Sequence, residues 1–167
     1  MMEKNNKNMP QKSSTKQSDE YDNPWTFNDK PFTTEQIGNF VGFCYVIECN
    51  IDKRKYIGRK YFYSRRKTKG KSRRVKSESN WKSYYGSNEF LKEMVKFYGV
   101  QHFRRIILSL HITEGDCNYE EVRLQFEHNV LETDLFLNEN INGKWHNKPQ
   151  HIIEGRLLNE CYKIQDT

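Results

Sequence analysis

The sequence contains no long hydrophobic run. Hydrophobic residues make up only 35% of its 167 residues, against 30% charged residues, and no segment reaches the roughly 20 apolar residues that a membrane-spanning helix needs. Residues 1–6 also lack the apolar centre of a secretion signal. These absences argue against a membrane protein and a secreted one, so we expect the chain to act in the cytoplasm with no membrane partner.

The cysteine and histidine patterns of metal-binding modules are also lacking. The cysteines form no C-x-x-C pair and have no histidine at the spacing of a zinc ligand. No two of the five histidines stand four residues apart. We therefore expect reduced thiols, no zinc knuckle and no histidine-based catalytic group. The four cysteines are Cys44, Cys49, Cys117 and Cys161.

Composition divides the chain into three parts. Residues 1 to about 22 carry almost nothing to bury, which predicts a disordered tail. Large aromatic residues between prolines then indicate an extended arm, up to residue 39, whose rings pack on the domain; they are Trp25, Phe27 and Phe32. The folded domain is expected over residues 40–147, with a basic loop at 67–80, and a short tail follows at 148–167.

Residue patterns inside the domain predict an α+β fold. Residues 42–49 and 55–58 are rich in aromatic and β-branched residues, which favours two strands of a hairpin, and residues 103–110 indicate a third strand. Helices are predicted near residues 63–66, between Ser87 as N-cap and Gly99, and behind a capping box of Asn118 and Glu121. The expected architecture is a small three-stranded mixed or antiparallel sheet flanked by helices.

Positive charge is concentrated in one segment. Fourteen of the 28 Lys and Arg residues fall between Lys53 and Lys82, against the single acid Glu78. A solvated charged loop is the alternative interpretation, but aromatic residues recur regularly among the cations, and we expect the segment to bind the phosphates of double-stranded DNA. The residues predicted to contact DNA are Arg59, Lys60, Arg65, Lys67, Lys69, Lys71, Arg73, Arg74, Lys76, Trp81 and Lys82.

Two tyrosines on the predicted hairpin form a recognisable pattern. Tyr45 is followed, 11 residues later, by Tyr56-Ile57-Gly58. This arrangement resembles the signature of the GIY-YIG nuclease family, whose domain is a small mixed sheet flanked by helices. The first triplet departs from the pattern, because it reads Phe43-Cys44-Tyr45 and the nearest glycine, Gly42, comes one place too early.

The resemblance implies three further site residues. The family's arginine, about ten residues after the second tyrosine, corresponds to Arg66, with Arg65 as the alternative. Its metal-binding glutamate corresponds to Glu127, with Glu121 as the alternative, and its closing asparagine corresponds to Asn138. Residues 81–87 and 99–108, together with the lead-in at 23–28, resemble phage-encoded, homing-type members.

The chemistry implied by the resemblance is hydrolysis of a DNA phosphodiester bond with a single divalent metal, Mg²⁺ or Mn²⁺, held by Glu127. Arg66 would bind phosphate oxygens. Tyr45 or Tyr56 would position the attacking water and deprotonate it, if neighbouring cations lower a phenol pKa of about 10. Asn138 would brace the site by hydrogen bonds.

Two other functions stay open at this stage. One is a catalytically inactive nucleic-acid-binding module of the same fold, and the other is an accessory protein that docks a partner through the basic loop. The chain has little room for a separate DNA-reading domain, so specificity would lie in the loop, be low, or arise in a homodimer.

Overall fold

The computed structural model describes residues 21–67 and 74–146. Within these ranges the elements, in chain order, are β1 (Thr26–Phe27), β2 (Lys30–Pro31), β3 (Gly42–Cys49), β4 (Lys55–Tyr61), β5 (Tyr63–Lys67), β6 (Arg74–Glu78), α1 (Glu89–Tyr98), β7 (Phe103–His111), α2 (Glu114–Glu127), β8 (Asn140–Ile141) and β9 (Trp145–His146). Short 3₁₀ turns occupy Thr34–Ile37, Trp81–Ser83 and Val100–His102.

The main sheet is mixed and has the strand order β2-β1-β7-β3-β4. The three strands β3, β4 and β7 are those predicted, and they pair antiparallel. The predicted three-stranded sheet is too small, because the two short strands of the arm extend it: β1 pairs parallel with β7 and antiparallel with β2. The α+β class is confirmed, and β4 forms one edge of the sheet.

Strand β3 separates two hydrophobic cores because its side chains alternate between the faces of the sheet. Phe43, Tyr45 and Ile47 pack on one face with residues of the arm and of α1. Cys44 and Val46 pack on the other face against α2. All five side chains are buried, so this strand is covered on both sides.

The aromatic arm is part of the first core, which is the one on the Tyr45 face of the sheet, while the second core lies on the Cys44 face. Trp25 is fully buried, its ring centroid lies 5.1 Å from that of Phe43, and its Nε1 donates a 2.8 Å hydrogen bond to the carbonyl of Trp81. Phe32 is also buried and stacks on Phe62 at 5.7 Å. These rings pack rather than project into solvent.

The predicted helix at residues 63–66 is wrong, because those residues form β5. Strand β5 pairs antiparallel with β6, so these two parts of the basic segment are the arms of a hairpin. Residues 68–73, between the two strands, lie outside the described part of the chain. Cross-strand contacts favour the hairpin over a helix: Lys76 Nζ lies 4.0 Å from the Tyr63 ring centroid, and the Ser64 and Ser77 hydroxyls are 3.2 Å apart.

Both long helices begin at other residues than predicted. Asn88, not Ser87, caps α1, because its Oδ1 accepts the backbone N–H of Leu91 at 2.8 Å. Helix α2 begins at Glu114 behind Thr113, whose hydroxyl accepts the Asp116 N–H at 3.0 Å. Asn118 and Glu121 therefore lie inside α2 and form no capping box.

We predict that Trp25→Ala destabilises the whole domain. Removing this buried ring leaves a large cavity and takes one of two hydrogen-bond donors from the Trp81 carbonyl, which keeps the Tyr84 N–H at 3.4 Å. The free energy of unfolding should fall by about 3–5 kcal/mol. Urea denaturation followed by circular dichroism measures the effect. Trp145→Ala is the matched control, because Trp145 is 48% exposed, and equal stability of the two variants would show that the arm is dispensable for folding.

Candidate active site

A cleft of two adjoining recesses opens at the edge strand β4. The larger recess measures about 630 Å³ and the smaller about 340 Å³. Tyr56, Arg59, Ser87 and Glu121 line both recesses, and Tyr45 lines the larger one. Tyr56 belongs to the first core while its neighbour Ile57 belongs to the second, so the cleft wraps around the edge of the sheet.

Gly58 allows the two signature tyrosines to approach each other. It pairs with Tyr45 across β3 and β4, and a Cβ at this position would lie 2.6 Å from the Tyr45 hydroxyl and 3.0 Å from Tyr56 Cε1. The two tyrosine rings are 6.3 Å apart, and Tyr84 packs edge-on to Tyr45 at 6.1 Å. A residue with a side chain would therefore clash at position 58, and only glycine fits there.

Both tyrosines are neutral phenols in this state. Burial raises the pKa of Tyr45 well above its ordinary value, and the neighbouring Tyr84 and Tyr56 add to the rise. Burial also raises the pKa of Tyr56, whose hydroxyl lies 2.9 Å from Ser87 Oγ. The expectation that nearby cations lower a tyrosine pKa does not hold here, because burial raises the pKa of both tyrosines and the neighbouring Tyr84 and Glu121 raise it further.

Arg59 and Glu121 form an ion pair inside the cleft. The Arg59 guanidinium donates to the Glu121 carboxylate and approaches the Tyr61 hydroxyl at 3.4 Å. Glu121 is only 8% exposed, and burial raises its pKa although Arg59 opposes the rise. The pKa of Arg59 is raised, because its contacts with Tyr61 and Glu121 outweigh the effect of burial. Among the described residues, Arg59 is the cation that pairs with the Glu121 carboxylate.

Asn138 holds the outer edge of β4. Its Oδ1 accepts the N–H of Ile57 at 3.0 Å, and its Nδ2 donates to the Ile57 carbonyl at 2.8 Å. The Gln125 side-chain amide donates to the same carbonyl at 3.2 Å. Both side chains line the smaller recess beside Glu121. Asn138 thus holds β4 at Ile57, between Tyr56 and Gly58.

Of the residues predicted for catalysis, Tyr45, Tyr56 and Asn138 line the cleft, and Glu127 does not. Glu127 ends α2, its side chain is 55% exposed, and it pairs with Arg123 at 2.7 Å. It stands six positions after Glu121 on the helix, which rotates it by about 240° around the helix axis. Glu121, weighed as the alternative metal ligand, faces the cleft instead.

Arg66 is also placed differently from the expectation. Its backbone lies opposite Val75 in the hairpin of β5 and β6 rather than on a helix. The guanidinium that lines the cleft is that of Arg59, a residue predicted only to contact DNA. Its position directly after Gly58 on an edge strand is a signal that could have indicated this role.

The residues predicted to bind DNA lie in different parts of the structure. Arg59, Lys60 and Lys76 line the larger recess, and the backbones of Arg65, Lys67 and Arg74 lie in the hairpin. Lys82 is half-buried, with its Nζ 5.6 Å from the Trp81 ring centroid. Trp81 is fully buried, and its Nε1 donates to Glu78 at 2.8 Å, so it offers no surface to DNA. Lys69, Lys71 and Arg73 lie outside the described residues.

The smaller recess offers oxygen ligands to a divalent cation. Glu121 and Gln125 stand four residues apart on α2 and therefore share one helix face. The Gln125 Oε1 is buried and has no hydrogen-bond partner within residues 21–67 and 74–146. One carboxylate, an amide oxygen and room for water form the kind of set that Mg²⁺ or Mn²⁺ accepts. The residues present therefore fit such an ion.

The fold and the cleft define a small α+β domain with an open, basic site suited to phosphate chemistry. Residues 25–141 match the family model described as "Putative endonuclease segE, GIY-YIG domain". Because the match covers more than half of the chain, the protein belongs to the GIY-YIG nuclease family, as the two tyrosines indicated. No curated protein and no solved structure matches the chain significantly. Among the described residues, no helix is long and apolar enough to cross a membrane.

We predict that Gly58→Ala disrupts the tyrosine pair. The added methyl group overlaps the Tyr45 ring, so we expect a loss of about 1–3 kcal/mol in unfolding free energy and an altered near-ultraviolet circular dichroism signal from displaced rings. Gly115→Ala is the control, because its Cβ would meet nothing closer than the Thr113 hydroxyl at 3.8 Å. A Gly58→Ala protein with unchanged stability and spectrum would show that the close approach is unimportant.

Proposed function

We propose that this nuclease-family domain is an endonuclease that hydrolyses phosphodiester bonds of double-stranded DNA with a single divalent ion, Mg²⁺ or Mn²⁺. The observation that carries the proposal is the convergence of Tyr45, Tyr56, Arg59 and Glu121 on one open cleft beside the basic hairpin of β5 and β6. Glu121 is largely buried, yet it lines both recesses of this cleft, where its carboxylate is paired with Arg59.

Glu121 and Gln125 would hold the ion, which supplies charge neutralisation at the scissile phosphate when bound. Arg59 offers a planar, permanently charged donor for the non-bridging phosphate oxygens. It is paired with Glu121 in this state, so a phosphate entering the cleft competes for the same guanidinium. The Arg59 guanidinium, which pairs with the Glu121 carboxylate in this structure, would then bind the phosphate of the substrate.

The tyrosines act best as hydrogen-bond donors. Because the pKa of each is raised, the phenols keep their protons near neutral pH and can donate to a phosphate oxygen or to the attacking water. Tyr56 is the more accessible of the two and is held through Ser87, whereas Tyr45 is buried beneath it. We assign substrate contact to Tyr56 and ring support to Tyr45.

The surface next to the cleft provides the path for DNA. Lys60 Nζ lies 3.9 Å from the Tyr84 ring centroid, and Lys76 lies against Tyr63 on the hairpin. These cations extend the positive charge of Arg59 out of the cleft, as phosphate contacts along a duplex require.

We further propose a phage-encoded, homing-type enzyme acting in the bacterial cytoplasm. A monomer would nick one strand, whereas a homodimer would cut both.

We predict that Glu121→Gln lowers plasmid cleavage by at least about 100-fold, because the amide cannot neutralise the charge of a bound cation. Supercoiled plasmid incubated with Mg²⁺ or Mn²⁺, with and without a chelator, measures nicked and linear products. Glu127→Gln is the matched control and should cut like wild type. Thermal unfolding checks that both variants fold.

Two results would contradict this assignment. Loss of activity in Glu127→Gln together with normal cutting by Glu121→Gln would return the metal ligand to the end of α2. A wild-type protein that binds DNA but leaves plasmid intact with both metals at every salt concentration would establish the catalytically inactive binding module instead.

We predict that DNA binding weakens steeply with salt and that the cleft lysines contribute to this dependence. Lys60→Met and Lys76→Met should each reduce the slope of log affinity against log salt by about 1, because each removes one phosphate contact. Lys96→Met, in the last turn of α1, is the control. A gel-shift titration measures the slopes, and identical slopes for all four proteins would exclude the proposed path.

A further inference from the structure

Three potential soft-metal ligands meet on the side of the sheet opposite the tyrosine pair. The ligand atoms of Cys44, His111 and Cys117 all lie within 4.8 Å of one another. They come from the three different elements β3, β7 and α2. Both cysteines are fully buried in the second core, and His111 is half-buried, so one ligand of the cluster borders the surface.

A bulge in β7 brings His111 to the same face of the sheet as Cys44. Cys44 pairs with Ser109 and Tyr45 pairs with Ile107, so Leu108 has no partner on β3. One extra residue reverses the alternation of faces beyond it. Leu110 accordingly packs with the first core, and Ser109 and His111 turn towards Cys44 and α2. Without the bulge, His111 would face the arm.

The chemistry of the cluster differs from that of the nuclease cleft. Two thiols and an imidazole suit zinc, whereas the oxygen ligands around Glu121 suit Mg²⁺ or Mn²⁺. In the structure, Cys44 Sγ donates to the carbonyl of Cys117 at 3.3 Å, and Ser109 Oγ lies 2.8 Å from His111 Nε2. The contact with Cys117 and burial raise the pKa of Cys44, so its thiol keeps its proton here.

We propose that Cys44, His111 and Cys117 bind one zinc ion, with the Ser109 hydroxyl or a water as the fourth ligand. Binding releases the two thiol protons, because zinc takes thiolates. The ion would enter past His111. It would connect the residue that precedes Tyr45 with the helical turn that precedes Glu121, since Cys117 and Glu121 stand four residues apart on α2. The site would thereby stabilise both walls of the cleft.

Cobalt substitution tests the proposal directly. The reduced, metal-free full chain is titrated with Co²⁺ and followed by absorption. We expect one equivalent to give the thiolate-to-cobalt charge-transfer band of a tetrahedral site, and zinc but not Mg²⁺ to abolish the band. Zinc at about a hundred times its dissociation constant should also raise the Tm by roughly 5–10 °C.

Variants assign the ligands. Cys44→Ser, Cys117→Ser and His111→Gln should lose or weaken the band and the zinc-dependent rise in Tm. Cys49→Ser, a buried cysteine outside the cluster, and Cys161→Ser should keep both. His111→Gln decides the question if the cysteine variants fail to fold, because this side chain is not fully buried.

Several outcomes would overturn the proposal. They are the absence of a thiolate–cobalt band in the reduced wild type, a band of undiminished intensity in the Cys44→Ser or Cys117→Ser variant, and a band that disappears in Cys49→Ser or Cys161→Ser. Formation of a Cys44–Cys117 disulfide in air, with no metal binding under reducing conditions, would instead assign the pair to redox chemistry.

Discussion

A buried guanidinium organises the domain. Arg105 on β7 is 1% exposed, and its donors reach the backbone carbonyls of Asn23 at 3.0 Å, Lys82 at 2.9 Å and Tyr84 at 3.1 Å. A charge taken out of water must be compensated by hydrogen bonds. The aromatic arm and the segment after the hairpin are therefore held against the same strand, and that segment supplies the wall of the cleft with Tyr84 and Ser87.

Much of the sheet could be predicted because β3, β4 and β7 are rich in aromatic and β-branched residues. The hairpin of β5 and β6 could not, since basic residues are compatible with helices and strands alike and the decision rests on pairs such as Tyr63 with Lys76. The arm's entry into the core was predicted as packing, but its short strands depend on pairing with β7, about 80 residues away in the sequence.

The same contrast between local sequence patterns and long-range contacts applies to the candidate site. The tyrosine pair and Asn138, which line the cleft, could be proposed from the sequence because the family resemblance points to them by short motifs and spacing. The spacing could not distinguish Glu121 from Glu127, because the phase of α2 is set by its cap at Thr113, outside any motif. The cysteine and histidine cluster escaped the sequence pattern because its ligands are far apart in the chain and a bulge turns one of them.

The contact of Asn138 with Ile57 has a consequence for the behaviour of the protein in concentrated solution. Its amide makes the two hydrogen bonds that the peptide group of a neighbouring strand would make, and the backbone of Lys55 is likewise paired with Leu135 and Leu137. An uncovered edge strand invites pairing with other chains. Here a side chain substitutes for a strand, so the cleft stays open to a long substrate while the sheet is protected from aggregation.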